Sequence, residues 1–282
     1  VTWVHEKLYP HWRQIYESTR TYFEARTEHQ HLVIFDNPTF GRVMALDDVV
    51  QVTEGDEFVY HEMLTHVPML AHGHAKRVLV VGGGDGGILR EVLKHPVEKA
   101  VLVEIDASVV AMSKEHLPGI SKGAFDDPRT ELVIADGVDY MARAEPKFDV
   151  IIIDSTDPVG PGEVLFTEDF YRNCAKRLTP GGILTCQNGV PYMQREELVY
   201  TQKRRRPHFA DCAFFVAAVP TYVGGFMGLG WASHDPAHRA RPVEEIRRRY
   251  QANPFPTQYY TPDIHVACFA LPRFILDLLA QA

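Results

Sequence analysis

Carboxylates stand at four corresponding places in this 282-residue chain, each just after a short apolar run. Asp85 lies inside VVGGGDGG at Val80 to Gly87, Glu104 and Asp106 close the run VEID, Asp136 precedes Gly137, and Asp154 opens Asp154-Ser155-Thr156-Asp157. A single acid in such a place is commonly a helix cap. Four in succession point instead to a site beyond the carboxyl ends of strands, where open α/β sheets bind their ligands. Glu104 follows the glycine loop by about twenty residues, the separation at which an acid accepts hydrogen bonds from both ribose hydroxyls. That points to a nucleoside. Gly82, Gly84 and Gly87 satisfy G-x-G-x-x-G, which brings a nicotinamide oxidoreductase into consideration. The pyrophosphate of such a cofactor, however, would sit on the helix N-terminus beside the Asp85 carboxylate. A nucleoside without phosphate fits better, and S-adenosyl compounds are of that kind. If Asp85 and Asp154 flank the methionine tail of S-adenosylmethionine, its carboxylate meets like charges, a penalty of roughly several kcal/mol in a site of reduced dielectric. The decarboxylated compound keeps two cations, a sulfonium and an ammonium, and its transferable group is the aminopropyl arm.

The elements that must position these acids can be read from the pattern. Short unbroken apolar runs at Arg77 to Val81, Lys99 to Ile105, Glu131 to Ala135, Phe148 to Ile153 and Ile183 to Cys186 alternate with helical periodicity. Runs without alternation suit strands buried on both faces, so a mostly parallel sheet covered by helices is expected. Two later runs, Ala213 to Val219 and Phe226 to Ser233, extend it. Before this unit, β-type runs at Leu32 to Phe35, Arg42 to Leu46 and Val49 to Val52 are separated by the turn formers Asp36-Asn37-Pro38 and Asp47-Asp48, predicting a small antiparallel sheet. A helix is expected from Asp56 to about Ala71. The division expected is residues 1–70 for the β domain and connecting helix, and 71–282 for the larger unit.

Composition narrows the function classes. No apolar run approaches the roughly 20 residues needed to cross a bilayer, and the first residues lack a secretory pattern, so the expectation is a cytoplasmic protein without membrane contact. The net charge of −8 disfavours nucleic acid and suits a cationic substrate. The run Lys203 to Arg206 reads as the solvated C-terminal turn of a helix starting near Arg195, where cations suit the helix dipole. Cys174, Cys186, Cys212 and Cys268 form no C-x-x-C pair and read as reduced, half-buried small hydrophobes. His61-Glu62 with His66 approaches the helical zinc motif, but position 65 is threonine where the second histidine would stand. No metal is expected.

The strings FGRVMALDDVVQVTEGDEFVYHEML, VVGGGDGGILREVLKHP, VEID, DSTDPVGPGEVLF and PTYVGGFMG, in order between about His29 and Pro272, resemble spermidine synthases of the polyamine aminopropyltransferase family. The resemblance implies a methyltransferase-like Rossmann sheet with a small N-terminal antiparallel β domain, and a homodimer. It implies that Gln30, Gln51, Glu104, Asp136 with Gly137, and Pro161 contact the adenosyl part, and that Asp85 holds the aminopropyl ammonium. Tyr60, His61, Asp154, Asp157 and Tyr222 would line the diamine channel, with Asp154 the proton acceptor and Ser155 and Thr156 in the enclosing loop. The implied substrates are putrescine and decarboxylated S-adenosylmethionine, the latter a co-substrate, with no cofactor. A diamine N-methyltransferase using intact S-adenosylmethionine is the alternative on the same scaffold, and a noncatalytic polyamine-binding module is a further one. The distal ammonium of the diamine needs an acid or carbonyl partner, and Asp157 and Glu163 are near in sequence.

Overall fold

A computed structural model describes residues 2–143, 145–156 and 160–282, with the backbone alone at 160 and 161. The chain opens with an antiparallel pair, β1 (Thr2–His5) and β2 (Ile15–Ser18). It continues as a four-stranded antiparallel sheet of β3 (Arg20–Arg26), β4 (His31–Asn37), β5 (Gly41–Leu46) and β6 (Val49–Thr53), in that order. Asp47 and Asp48, both at positive φ (48° and 63°), make the two-residue turn between β5 and β6, the left-handed pair that tight hairpins favour. Alternation sorts this sheet into two faces. Val33, Phe35, Val43, Ala45 and Val50 pack on Tyr16, while Leu32, Ile34, Met44, Leu46 and Val52 pack on Val109, Leu117 and Ile120 of the larger unit.

The helix α1 (Glu57–His72) follows, preceded by Asp56 and stopped by Gly73 at φ 85°. It is buried along nearly its whole length and packs its apolar side chains into the same cluster as Val78, Val80, Val150 and Ile152 of the large sheet. Pro68 inside it has no N–H to offer the Leu64 carbonyl four residues back. The Thr185 hydroxyl donates to that carbonyl instead, at 3.2 Å.

The large sheet has seven strands: β7 (Arg77–Gly82), β8 (Lys99–Glu104), β9 (Thr130–Ile134), β10 (Phe148–Asp154), β11 (Leu178–Gln187), β12 (Asp211–Ala217) and β13 (Met227–Ser233). Their order is β12-β13-β11-β10-β7-β8-β9. The pairs from β11 to β9 are parallel, and β13 runs antiparallel to both β11 and β12. The two faces divide each strand's residues: Val78, Val80, Leu102, Val150 and Ile152 enter one core and Leu79, Val81, Val103, Ile151 and Ile153 the other. This is why the runs carry no polar alternation. Order reverses between β7 and β10, which places a crevice at their carboxyl ends, with Asp154 in register opposite Gly82.

The helices that accompany these strands include α2 (Gly87–Leu93), α3 (Ala107–His116), α4 (Pro118–Ser121), α5 (Gly137–Ala142), α6 (Glu168–Arg177) and α7 (Arg195–Arg205). The basic run Lys203 to Arg206 does close α7, but it is not all solvated. Arg205 is fully buried, stacked on Phe214 and near Cys186 and Asn188, because one helix face at that turn meets β12. Three of the four cysteines are buried rather than half-buried, and all four are free thiols. Among the described residues no helix is long and apolar enough to cross a membrane.

Candidate active site

β7 ends at Gly82, whose φ of 82° and close approach to β10 both require glycine: an added Cβ would lie 2.0 Å from the Asp154 carbonyl oxygen. The loop then turns through Asp85, whose Oδ1 accepts the Gly87 N–H at 2.6 Å, and enters α2. A Cβ at Gly87 would meet the His61 ring at 2.1 Å. The glycines thus let three elements, the loop, α1 and β10, converge on one point.

At that point lies a cluster of acids with one histidine. The Tyr60 hydroxyl donates to Asp154 Oδ1 at 2.7 Å. His61 Nε2 is 3.6 Å from Asp85 Oδ2, and its Nδ1 is 2.5 Å from Glu57 Oε2. Burial, then the like charge of Asp85, pushes Asp154 up to about 6, against the pull of His61 and the Tyr60 hydroxyl. Burial works to strip the His61 ring of its proton, but Asp85 and Glu57 prevail and push it up to about 10. Glu57 is held down at about 2, burial being overcome by His61 and Arg90. Arg90 on α2 grips Glu57 with two parallel bonds of 2.8 Å. Tyr60 stays neutral, since burial and Asp154 raise its hydroxyl well above the usual phenol range.

The other end of the cleft is formed by the carboxyl ends of β8 and β9. Glu104 at the end of β8 is buried and accepts the Asp106 N–H at 2.9 Å. Burial, opposed by the backbone N–H groups of Asp106 and Ile105, pushes it up to about 7. Asp106 and Asp136 are N-caps, accepting from Ser108 N at 2.9 Å and Val138 N at 2.7 Å. Asp106 also takes the Thr27 hydroxyl at 2.7 Å and the Gln30 amide at 3.1 Å, tying the β domain to this edge.

One cleft, open to solvent, is lined by Gln30, Gln51, Tyr60, His61, Asp85, Glu104, Asp136, Gly137, Asp154 and Tyr222 together, with Ser155 and Thr156 beside them. Asp157 and the side chain of Pro161 lie outside the described residues. Glu163 is exposed and absent from the lining. The partial zinc motif is scattered by the helix. His61 faces Asp85, Glu62 accepts three backbone N–H groups of Gln258, Tyr259 and Tyr260 at 2.7–2.8 Å, and His66 lies 2.8 Å from Glu91. No group of three or more metal-ligating side chains is gathered among the described residues.

Several residues of the site escape a reading of the sequence. Glu57 and Arg90 support His61, and only the i, i+4 spacing of Glu57 and His61 hints at the first contact. Glu6, Gln14 and Thr221 also line the cleft. Gln14 bridges Glu6 at 2.8 Å and the Thr221 carbonyl at 2.9 Å, and Asp56 accepts the Thr221 N–H at 2.7 Å. The Tyr222 hydroxyl donates to the Gln51 carbonyl at 2.5 Å. Glu6, Gln14 and Thr221 are loop residues without periodicity, and nothing in their spacing announces them.

Residues 57–241 match the family described as the spermine/spermidine synthase domain, and residues 2–54 match the spermidine synthase tetramerisation domain. The chain is 55% identical over 278 residues to the polyamine aminopropyltransferase of Pseudomonas syringae pv. tomato, covering 98% of this chain and 97% of the relative. It is 56% identical over 277 residues to polyamine aminopropyltransferase 1 of Pseudomonas aeruginosa, covering 98% and 97%. A spermidine synthase crystallised with the transition state analogue AdoDATO superposes with a TM-score of 0.93 at 38% identity, covering 100% of this chain and 96% of that one. The spermidine synthase of Thermotoga maritima gives 0.90 at 36% identity, covering 100% and 95%.

Proposed function

This chain belongs to the spermine/spermidine synthase family, and from that premise we propose that it transfers the aminopropyl group of decarboxylated S-adenosylmethionine to putrescine, giving spermidine and methylthioadenosine. The observation that carries the reading is the meeting, in one cleft, of a nucleoside-type carboxylate, Glu104, with the acid pair Asp85 and Asp154. The diamine methyltransferase alternative is not favoured, because the similar chains are aminopropyltransferases.

In the assignment proposed, Glu104 takes the ribose hydroxyls, and Gln30, Gln51, Asp136 and Gly137 surround the rest of the adenosyl part. Pro161 and Asp157 keep the roles that the resemblance implies. Asp85 holds the donor's ammonium, while Tyr60, His61 and Tyr222 line the acceptor's path to Asp154. The putrescine nitrogen attacks the methylene next to the sulfonium. A C–N bond forms, the C–S bond breaks, and its electron pair neutralises sulfur, so the leaving group needs no acid. The limiting factor is the amine, which at a pKa of about 10 is almost wholly protonated in water. Burial and the neighbouring sulfonium both disfavour its charged form. Asp154 accepts the departing proton as the bond develops, an effect typically worth about 10² to 10⁴ in rate, and holding amine and methylene in line supplies a larger share. No cofactor enters this chemistry.

A cytoplasmic location is part of this reading and fits the four free thiols. An oligomer is supported by the tetramerisation-domain match. We take a homodimer as its unit, and light scattering that returned the mass of a monomer would refute it.

The test offers the protein decarboxylated S-adenosylmethionine with putrescine, cadaverine and spermidine in parallel, and identifies products by mass spectrometry. Spermidine and methylthioadenosine from the putrescine reaction are expected. Methylated amine from intact S-adenosylmethionine, without aminopropyl transfer, overturns the assignment.

A further inference from the structure

His61 sits between two carboxylates in a pocket assigned to cations. Its Nδ1 faces Glu57 at 2.5 Å and its Nε2 faces Asp85 at 3.6 Å, and the ring is buried. The titratable and charged groups facing it are Glu57 and Tyr60 from α1, Asp85 from the glycine loop, Asp154 from β10 and, across Glu57, Arg90 from α2. Arg90 is itself fixed by Glu91 Oε1 at 2.6 Å and the Ile120 carbonyl at 2.6 Å. Glu57 is therefore held in one place with its charge intact, and the ring cannot swing away because the Gly87 backbone closes over it. With no ligand bound, an imidazolium here is the counter-ion of Asp85.

We infer that His61 is the resident cation of the acid pocket, positioned by Glu57 and Arg90, and that it surrenders its proton to solvent when the donor's ammonium takes its place at Asp85. This rests on the proposed function, which puts that ammonium at Asp85. Two cations cannot share Asp85 at van der Waals distance in a buried site without strong repulsion. The ring is the one that can neutralise without dissociating, because imidazole has an ordinary pKa near 6.5 and an alkylammonium one near 10. The proton released offsets the charge of the ammonium, so donor binding adds only the sulfonium's charge to the buried site. A neutral His61 then presents a polar ring, not a competing charge, to the diamine arriving beside it. The proton balance is complete: one N–H bond of the ring breaks, buffer takes the proton, and no redox step is involved.

The experiment is calorimetric titration of the intact protein with decarboxylated S-adenosylmethionine at pH 8, in buffers of differing ionisation enthalpy. At that pH Asp154, at about 6, and Glu104, at about 7, have already mostly lost their protons, whereas His61, at about 10, still carries its own. Wild type should release about one proton per site, and by linkage its association constant should rise about tenfold between pH 7.5 and 8.5. His61→Gln should bind the donor with almost no proton release and a flat pH dependence. Methylthioadenosine, which fills the nucleoside end but has no ammonium, should release none from wild type. Binding of the donor without proton release, or equal release with methylthioadenosine, overturns the proton exchange and leaves the proposed function standing. Failure of the donor to bind at all overturns the function and this inference with it.

Discussion

Asp154 and Gly82 are register partners on adjacent parallel strands, and the position of a Cβ on Gly82 lies 2.0 Å from the Asp154 carbonyl oxygen. The glycine is thus part of what places Asp154, the proposed proton acceptor. Gly82→Ala must push β10 aside, whereas Gly123→Ala meets nothing within 4 Å although Gly123 shares the same φ of 82°. The left-handed conformation costs either alanine about 1–2 kcal/mol, and the collision should raise the Gly82 cost to roughly 3–5 kcal/mol. Thermal melts should separate the two, at about 2–4 °C per kcal/mol, and only Gly82→Ala should lose most of its activity. Equal melting temperatures would show that β10 yields freely.

Asp154→Asn separates chemistry from stability. Turnover should fall by about 10² to 10⁴, with binding of the adenosyl ligand mostly retained. Because the folded-state pKa of Asp154, about 6, is raised above the ordinary 3.8, its contribution to stability is fully present below the unfolded pKa and lost as pH rises through about 6. At pH 8 wild type carries the cost of the buried charge. The asparagine variant should therefore be more stable at pH 8 by up to roughly 2–3 kcal/mol and show no gain near pH 4. Denaturant titrations at the two pH values decide it, and a loss of stability at pH 8 would make Asp154 a structural residue.

Tyr60→Phe tests the only hydroxyl that the described residues show donating to Asp154. A hydrogen bond to a charged acceptor contributes about 1.5–3 kcal/mol, so its loss should raise the Asp154 pKa by about one unit or more. The acid limb of kcat/KM against pH should move up by that amount, with activity falling about threefold or more near pH 6.5 and about tenfold or more at pH 5. An unmoved limb, with lower activity at every pH, would make the tyrosine a packing residue.

Much of this was legible in the sequence because strong periodicity reports local rules. The unbroken runs of β7, β8, β10 and β11 follow from burial on two faces, as do the short runs of β4 to β6, which turn formers delimit. The strands β1 to β3 were not legible, since segments such as Arg20–Arg26 are half-buried or exposed and carry charges on both faces. The acids at the strand ends were legible by repetition. Asp136 also shows that a cap and a cleft-lining residue can be one side chain. The Glu57 to Arg90 clamp spans 33 residues and exists only once α1 and α2 are packed. Arg205 was misread for the same reason: a run of four basic residues looks solvated until β12 covers one face of the helix turn.

Donor selection provides the sharpest discrimination, because the roles proposed for Asp85 and Glu104 concern different parts of the same ligand. Intact and decarboxylated S-adenosylmethionine share the adenosyl group, so Glu104→Gln should weaken both by about 10- to 100-fold and leave their ratio unchanged. Asp85 is different. Its Oδ1 is fixed by the Gly87 N–H and it stands beside His61, so it cannot turn away from a carboxylate placed where the two compounds diverge. Two like charges about 4 Å apart at an effective dielectric of about 20 repel by roughly 4 kcal/mol, of which Asp154 and solvent leave only part to Asp85. Asp85→Asn should therefore narrow the preference for the decarboxylated ligand by about tenfold or more in a competition assay, through weaker binding of that ligand together with tighter binding of its parent. A ratio that follows Glu104 and ignores Asp85 would mean that the tail carboxylate never meets the acid pair, and the anionic floor of the cleft would need another purpose.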